Sequence, residues 1–218
     1  MRNHNSFSVK QMVLLALLAA IAYMMVTLIR IPVVLFLKYE PKDVIITIGG
    51  FLFGPFASFI ISLLVSLLEM VTISDTGPIG ALMNLLSTCC FSCTAAFIYK
   101  RNRTISGAII ALVAGSIFMV AAMLLWNWLI TPIYMGYDRA VVAGMLVPVF
   151  LPFNLLKAGL NSAFVVFLYK PLVTALRKAG LVETREQSVG GSKTGVYLFG
   201  ILLLATCVLL LLVFQGKI

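Results

Sequence analysis

The chain has 218 residues, 62% of them hydrophobic and 11% charged, with a net charge of +9 and a mean hydropathy of +1.12. A water-soluble domain cannot clothe its surface with so few charges, so the composition excludes one and defines an integral membrane protein. The excess of Lys and Arg does not mark a nucleic-acid binder, because the basic residues flank apolar segments: Lys100, Arg101 and Arg103, then Lys170 through Arg177 and Lys178 to Lys193.

The apolar runs are helix-length and lack the alternation of a membrane barrel, which predicts an all-α, polytopic membrane protein. The first predicted helix runs from Met12 to Ile29. Ala20-Ile21-Ala22 resembles a signal-peptidase site, but the apolar run continues past it, so this helix is expected to be retained. Arg30 to Pro41 is expected to be a loop folded back over the bundle. The second helix, Lys42 to Phe53, ends at Gly54-Pro55 and is too short to cross comfortably, so it is expected to be tilted or packed inside protein. The third runs from Phe56 to Val71, and Ser74-Asp75-Thr76-Gly77-Pro78 makes the following turn. The fourth spans Ile79 to Tyr99, the fifth Ile105 to Ile130 with a stop at Thr131-Pro132, and the sixth Val147 to Leu176. A polar stretch with Gly190-Gly191-Ser192 reads as a flexible linker, and a leucine-rich helix from Val196 to Phe214 follows.

The predicted organisation is therefore a six-helix core over residues 1–178, a polar cytoplasmic linker over 179–194, and an additional C-terminal transmembrane helix over 195–218. The leucine-rich helix from Val196 to Phe214 carries no charged residue and is expected to face lipid. Counting Lys and Arg at the helix ends puts the N-terminus inside and the C-terminus outside. The same orientation gathers Glu69, Asn127, Asn154, Lys157 and the Arg30 to Asp43 stretch at the outer end.

Pro152-Phe153-Asn154-Leu155-Leu156-Lys157 places an amide and an ammonium three residues apart, on one helical face. In a bilayer each costs on the order of a few kcal/mol unless it finds a polar partner or a wet cavity. Lys157 could snorkel to the interface and Asn154 could bond a neighbouring helix. Lys157 lies about ten residues into its segment, roughly 15 Å along the axis, which strains the snorkelling account.

Trp126-Asn127-Trp128, with Pro132 and Tyr134 beyond it, fits either an interfacial aromatic belt or a site for a flat heteroaromatic ligand. In the second case aromatic faces stack on the ring while the amide reads its edge. Ala16-x-x-x-Ala20 forms a small-residue stripe along which another helix can approach closely, although alanine-rich helices also produce such spacing by chance.

Cys90-x-x-Cys93 resembles half a metal site, but the only histidine is His4, so these cysteines read as small buried hydrophobes. There is no G-x-x-x-x-G-K-[ST] phosphate loop, no H-E-x-x-H, and no intramembrane serine or cysteine with a histidine to activate it. No enzyme activity and no cofactor are expected.

Taken in order, several motifs resemble those of the substrate-binding S components of energy-coupling factor (ECF) vitamin importers. They are Ala16-x-x-x-Ala20, Phe51-Leu52-Phe53-Gly54-Pro55, Gly80-x-x-x-Asn84, Asn127-Trp128-x-x-x-Pro132-x-Tyr134 and Pro152-Phe153-Asn154-x-x-Lys157. The resemblance spans roughly Ser8 to Ala175 and is strongest to the riboflavin-specific branch. It implies a six-helix bundle in a bacterial cell membrane that binds a vitamin on its outer side. It also implies docking through Ala16 and Ala20 onto a transmembrane coupling protein driven by two cytoplasmic ATPases. By matching position, Asn127, Asn154 and Lys157 would contact the isoalloxazine ring, with Asn84, Trp128, Tyr39, Glu40 and Asp43 completing the pocket.

The chain departs from that branch where an Asp-Phe-Ser-Asp stretch is usual, reading Glu40-Pro41-Lys42-Asp43 instead. It departs again where a Lys-Asn pair in the third helix is replaced by Val65-Ser66, with Glu69 one turn later. Riboflavin is the expected ligand. Another heteroaromatic vitamin, or a flavin analogue such as FMN or a roseoflavin-like molecule, is the alternative. A ligand-free membrane scaffold subunit is the alternative of a different class.

Overall fold

A computed structural model gives the arrangement of residues 8–35, 37–74, 76–180 and 193–215. The first helix, Val9–Leu28, starts at a capping box in which Ser8 and Gln11 satisfy each other's backbone N–H groups. The stretch expected to be a loop is instead a short antiparallel hairpin, Ile31–Val34 paired with Leu37–Tyr39. Successive side chains of a strand point to opposite faces, and one face packs on the bundle, with Val33, Leu37 and Tyr39 buried. Among the described residues the fold is all-α apart from this hairpin.

The second helix, Lys42–Phe53, is buried at every position from Lys42 to Phe51. It is therefore a core element enclosed by protein, which explains how a 12-residue helix tolerates Lys42 and Asp43 at its start. The third helix is Pro55–Thr72, entered directly from Gly54. The fourth runs as one rod from Gly77 to Arg101, with a π turn at Cys89–Cys93.

The fifth helix, Ile105–Met135, continues through Pro132 and stops at Gly136, whose φ of 67° is left-handed. The stop expected at Thr131-Pro132 is thus displaced by one turn. A proline one turn from a helix end forfeits a single backbone bond, and the helix survives it. The sixth rod also starts earlier than expected. Arg139–Met145, a π turn at Leu146–Phe150 and Leu151–Lys178 follow one another without a break.

Among the described residues, five helices are long and apolar enough to cross a membrane. Large apolar side chains such as Val13, Phe56, Phe118, Leu155 and Ile201 lie exposed on the perimeter, as lipid contact requires. The expected linker lies mostly outside the described residues. The seventh helix, Lys193–Phe214, is not wholly lipid-facing. Leu203, Leu204, Leu211 and Phe214 pack into a cluster with Val33 and Leu37 of the hairpin and with Phe153 and Leu160 of the sixth helix.

Candidate ligand-binding site

A cavity of about 250 Å³ opens beneath the hairpin, between the third, fourth, fifth and sixth helices. Its lining is mixed. Leu37, Met83, Met123 and Phe153 supply apolar surface, while Ser87, Asn84, Asn127, Asn154 and Lys157 supply donors and acceptors. Arg30, Lys38, Glu40, Glu69, Ser74 and Thr76 complete it with charge and hydroxyls. Apolar surface combined with convergent polar groups is what a small-molecule site requires, and here the polar share is high.

Each polar side chain is fixed by its own helix or by a neighbour. Asn127 donates from Nδ2 to the Met123 carbonyl at 2.7 Å and accepts from Thr131 at 2.9 Å. Asn154 likewise donates to the Phe150 carbonyl at 2.7 Å. Phe150 closes the π turn of the sixth helix, where the backbone ladder is locally rearranged and a side-chain amide can serve as donor. Lys157 is 6% exposed, so its ammonium needs partners within protein. It donates to Ser87 Oγ at 3.3 Å and pairs with Asp43 Oδ2 at 3.3 Å.

Asp43 itself has no exposed surface. Besides Lys157 it accepts from Thr88 at 2.7 Å on Oδ1 and from Asn161 at 3.1 Å on Oδ2. Asn161 in turn accepts from the Tyr39 hydroxyl at 3.1 Å. A second cluster adjoins the first. Lys42, 1% exposed, bonds both carboxylate oxygens of Glu69 and lies 2.9 Å from Glu40 Oε2. Asn84 donates to Glu69 at 2.9 Å. Arg30 pairs with Glu40 at 2.9 Å and donates to the Ile73 carbonyl.

The two titratable groups just ahead of the second helix respond to this setting in opposite ways. Burial pushes the Glu40 carboxyl up, but the Lys42 ammonium, aided by Lys157 and Arg30, outweighs it and holds the group below its ordinary value. Burial, reinforced by the Asp43 carboxylate, raises the Tyr39 phenol well above its ordinary value. Glu40 is therefore an anion and Tyr39 a neutral hydrogen-bond donor at neutral pH.

The residues singled out by sequence thus fall into three groups. Asn84, Asn127, Asn154, Lys157 and Glu40 line one cavity. Tyr39 and Asp43 stand behind its wall, touching Lys157 or one another's partners rather than the open volume. Trp128 is 41% exposed and lies outside the lining, because one residue on from Asn127 turns the side chain about 100° round the helix. Trp126 packs against the core around Phe91 and Met123. Both residues of the small-residue stripe, Ala16 and Ala20, are exposed, whereas the neighbouring Ala19 and Ala22 are buried.

Sequence reasoning passed over Lys42, Thr88 and Asn161. For Asn161 a signal existed, since Asn154, Lys157 and Asn161 recur at i, i+3 and i+7 on one helical face. Lys42 and Thr88 gave no such sign, because their partners lie on other helices.

A buried, polar-studded cavity in a bundle of membrane-spanning helices defines a membrane protein that binds a small molecule. The family of substrate-specific components of ECF transporters matches residues 10–169, and the chain belongs to it. The riboflavin transporter RibU of Staphylococcus aureus (strain TCH60) is 29% identical over 178 residues, covering 78% of this chain and 93% of that protein. RibU of Streptococcus thermophilus (strain ATCC BAA-250 / LMG 18311) is 27% identical, covering 81% and 89%. The riboflavin transporter FmnP of Bacillus subtilis (strain 168) is 26% identical, covering 78% and 97%. A solved S component of a bacterial ECF transporter superposes with a TM-score of 0.65 at 29% identity, over 77% of this chain and 98% of that one.

Proposed function

We propose that the protein is the riboflavin-binding subunit of an ECF importer, taking the vitamin from the outer side of a bacterial cell membrane. The observation that carries this reading is the convergence of Asn127, Asn154 and Lys157 on one buried cavity, in a chain whose relatives are named riboflavin transporters. Two amides and an ammonium complement the carbonyl and N–H groups along the pyrimidine-like edge of an isoalloxazine ring. Met83, Met123 and Phe153 offer apolar contact to its faces. Asn84, Glu40, Glu69, Ser74 and Thr76 suit the hydroxyls of a ribityl chain. Binding proceeds without covalent chemistry and without a cofactor.

Ala16 and Ala20, exposed on the first helix, are the proposed contact for the transmembrane coupling protein, which two cytoplasmic ATPases drive. Residues 1–178 form the binding core, 179–194 a cytoplasmic linker and 195–218 an added membrane helix, with the N-terminus inside and the C-terminus outside. Titrating the purified protein with riboflavin while following flavin fluorescence tests the reading. Quenching at or below micromolar ligand supports it, and unchanged fluorescence refutes it. A flavin analogue or another heteroaromatic vitamin is the second reading. It is favoured by one observation: Val65 and Ser66 are buried, while Lys42 and Glu69 supply the polarity from new positions.

A further inference from the structure

We propose that Asn161 is a positioning residue that ties the hairpin over the cavity to the ligand-binding lysine, so that ligand engagement at Lys157 changes how firmly the hairpin is held. The inference rests on the reading that Lys157 contacts the ligand. Four side chains from three separate elements form a single chain of bonds: Tyr39 OH to Asn161 Oδ1 at 3.1 Å, Asn161 Nδ2 to Asp43 Oδ2 at 3.1 Å, and Lys157 Nζ to that same Oδ2 at 3.3 Å. Tyr39 is the last residue of the hairpin, and its strand neighbours Leu37 and Lys38 line the cavity.

The amide of Asn161 suits the middle position. It must accept from a phenol that burial keeps protonated and donate to a carboxylate. An aspartate would lack the donor and set a second charge against Asp43, and a leucine would take the acceptor from the buried Tyr39 hydroxyl and one of three donors from Asp43.

Coupling follows from the shared oxygen. Asp43 Oδ2 accepts from both Lys157 and Asn161, so the two donors compete for its charge. When a ligand carbonyl draws the ammonium, Oδ2 is left to Asn161, whose bond strengthens and holds the Tyr39 end of the hairpin more tightly. When the ligand leaves, Lys157 returns and the grip relaxes. The cavity thereby closes in response to the ligand's polar edge rather than to mere filling of its volume.

Two variants test this. Tyr39→Phe removes one hydroxyl and keeps the ring packing, and Asn161→Leu removes the relay. The first measurement needs no ligand: amide hydrogen exchange of the hairpin in the ligand-free protein. Loss of one buried hydrogen bond predicts exchange about three- to tenfold faster at Leu37 and Tyr39, or at residue 39 in the phenylalanine variant, with the second helix unchanged. The second is stopped-flow flavin fluorescence, where the off-rate is expected to rise about tenfold while the on-rate moves less than threefold.

In the wild type, riboflavin should slow hairpin exchange further, and that response should vanish in both variants. Wild-type exchange and off-rates in Tyr39→Phe would overturn the proposal, even if Asn161→Leu failed to fold. A uniform loss of stability with unaltered hairpin response to ligand would reduce Asn161 to a structural residue and equally overturn it. If wild-type protein does not bind riboflavin, the functional reading and the coupling fall together. The ligand-free exchange then separately decides the hairpin tether.

Discussion

Replacing Lys157 by Met removes the ammonium while keeping most of the side-chain volume. In the ligand-free protein that ammonium contacts Ser87 Oγ and Asp43 Oδ2, each at 3.3 Å, distances at the long end for such bonds. It can therefore turn to a ligand carbonyl, giving up the serine and loosening its hold on the carboxylate. A charge-assisted hydrogen bond of this kind contributes about 1.5–3 kcal/mol, which at 1.4 kcal/mol per decade is roughly a 10- to 150-fold loss of affinity. The fold suffers a separate penalty, because Asp43 keeps only Thr88 and Asn161 with its charge uncompensated. Removing one partner of a buried pair costs about 3–5 kcal/mol, and the two remaining donors to Asp43 place this case at the lower end. The two effects separate in Lys157→Met combined with Asp43→Asn, which removes the orphaned charge. Flavin titration and thermal unfolding in detergent read the two quantities independently. The double variant should recover stability and remain weak in binding. Affinity within threefold of wild type for the single variant, or recovered affinity in the double, would refute the assignment of Lys157 to the ligand.

Lys42→Met strands Glu69 and is expected to cost about 3–5 kcal/mol, whereas Lys42→Met with Glu69→Leu should recover most of it, since an apolar pair often replaces a buried ion pair without loss; a double-mutant cycle on unfolding measures the difference. Replacing Ala16 and Ala20 by Leu should abolish co-purification of the coupling protein while flavin binding persists, because both residues are exposed and neither lines the cavity. Gly50→Val should lower the unfolding temperature, since a Cβ there would stand 1.9 Å from Ser58 Oγ and 2.8 Å from Ala96 Cβ; overpacking of that kind costs about 1–3 kcal/mol. Wild-type thermal stability in that variant would show that the second and third helices can separate.

The fold was largely legible because its signals are local. Apolar runs, Gly54-Pro55 and the basic clusters mark where helices begin and end, and the second helix was delimited to the residue at Lys42–Phe53. Local signals also explain the errors. Pro132 reads as a stop, yet the fifth helix is held on both sides by neighbours and runs another turn to Gly136. Ile31 to Tyr39 is too short and too apolar to announce a hairpin without the turn residues that usually flag one. The cavity was half legible. Asn154 and Lys157 betray themselves by lying on one helical face amid apolar sequence, whereas Trp128 drew attention by residue type and points away from the site.

What sequence could not reveal is the pairing that makes those charges tolerable. Lys42 meets Glu69 across 27 residues, Lys157 meets Ser87 across 70, and Asn161 meets Asp43 across 118. No periodicity records such distances, since each helix shows only its own half of a bond. Read alone, Lys42 and Glu69 look like two departures from a family pattern. In space they compensate one another, so the polarity lost at Val65 and Ser66 returns as an ion pair between the second and third helices. Arg30, Lys42 and Lys157 thereby balance Glu40, Asp43 and Glu69. The partners come from four different parts of the chain, and a misplaced helix would leave a bare charge in a dry interior. The network therefore contributes less to net stability than to fixing one arrangement of helices. Because these six groups neutralise each other before any ligand arrives, an uncharged polar molecule such as riboflavin can enter among them without leaving a charge unmatched.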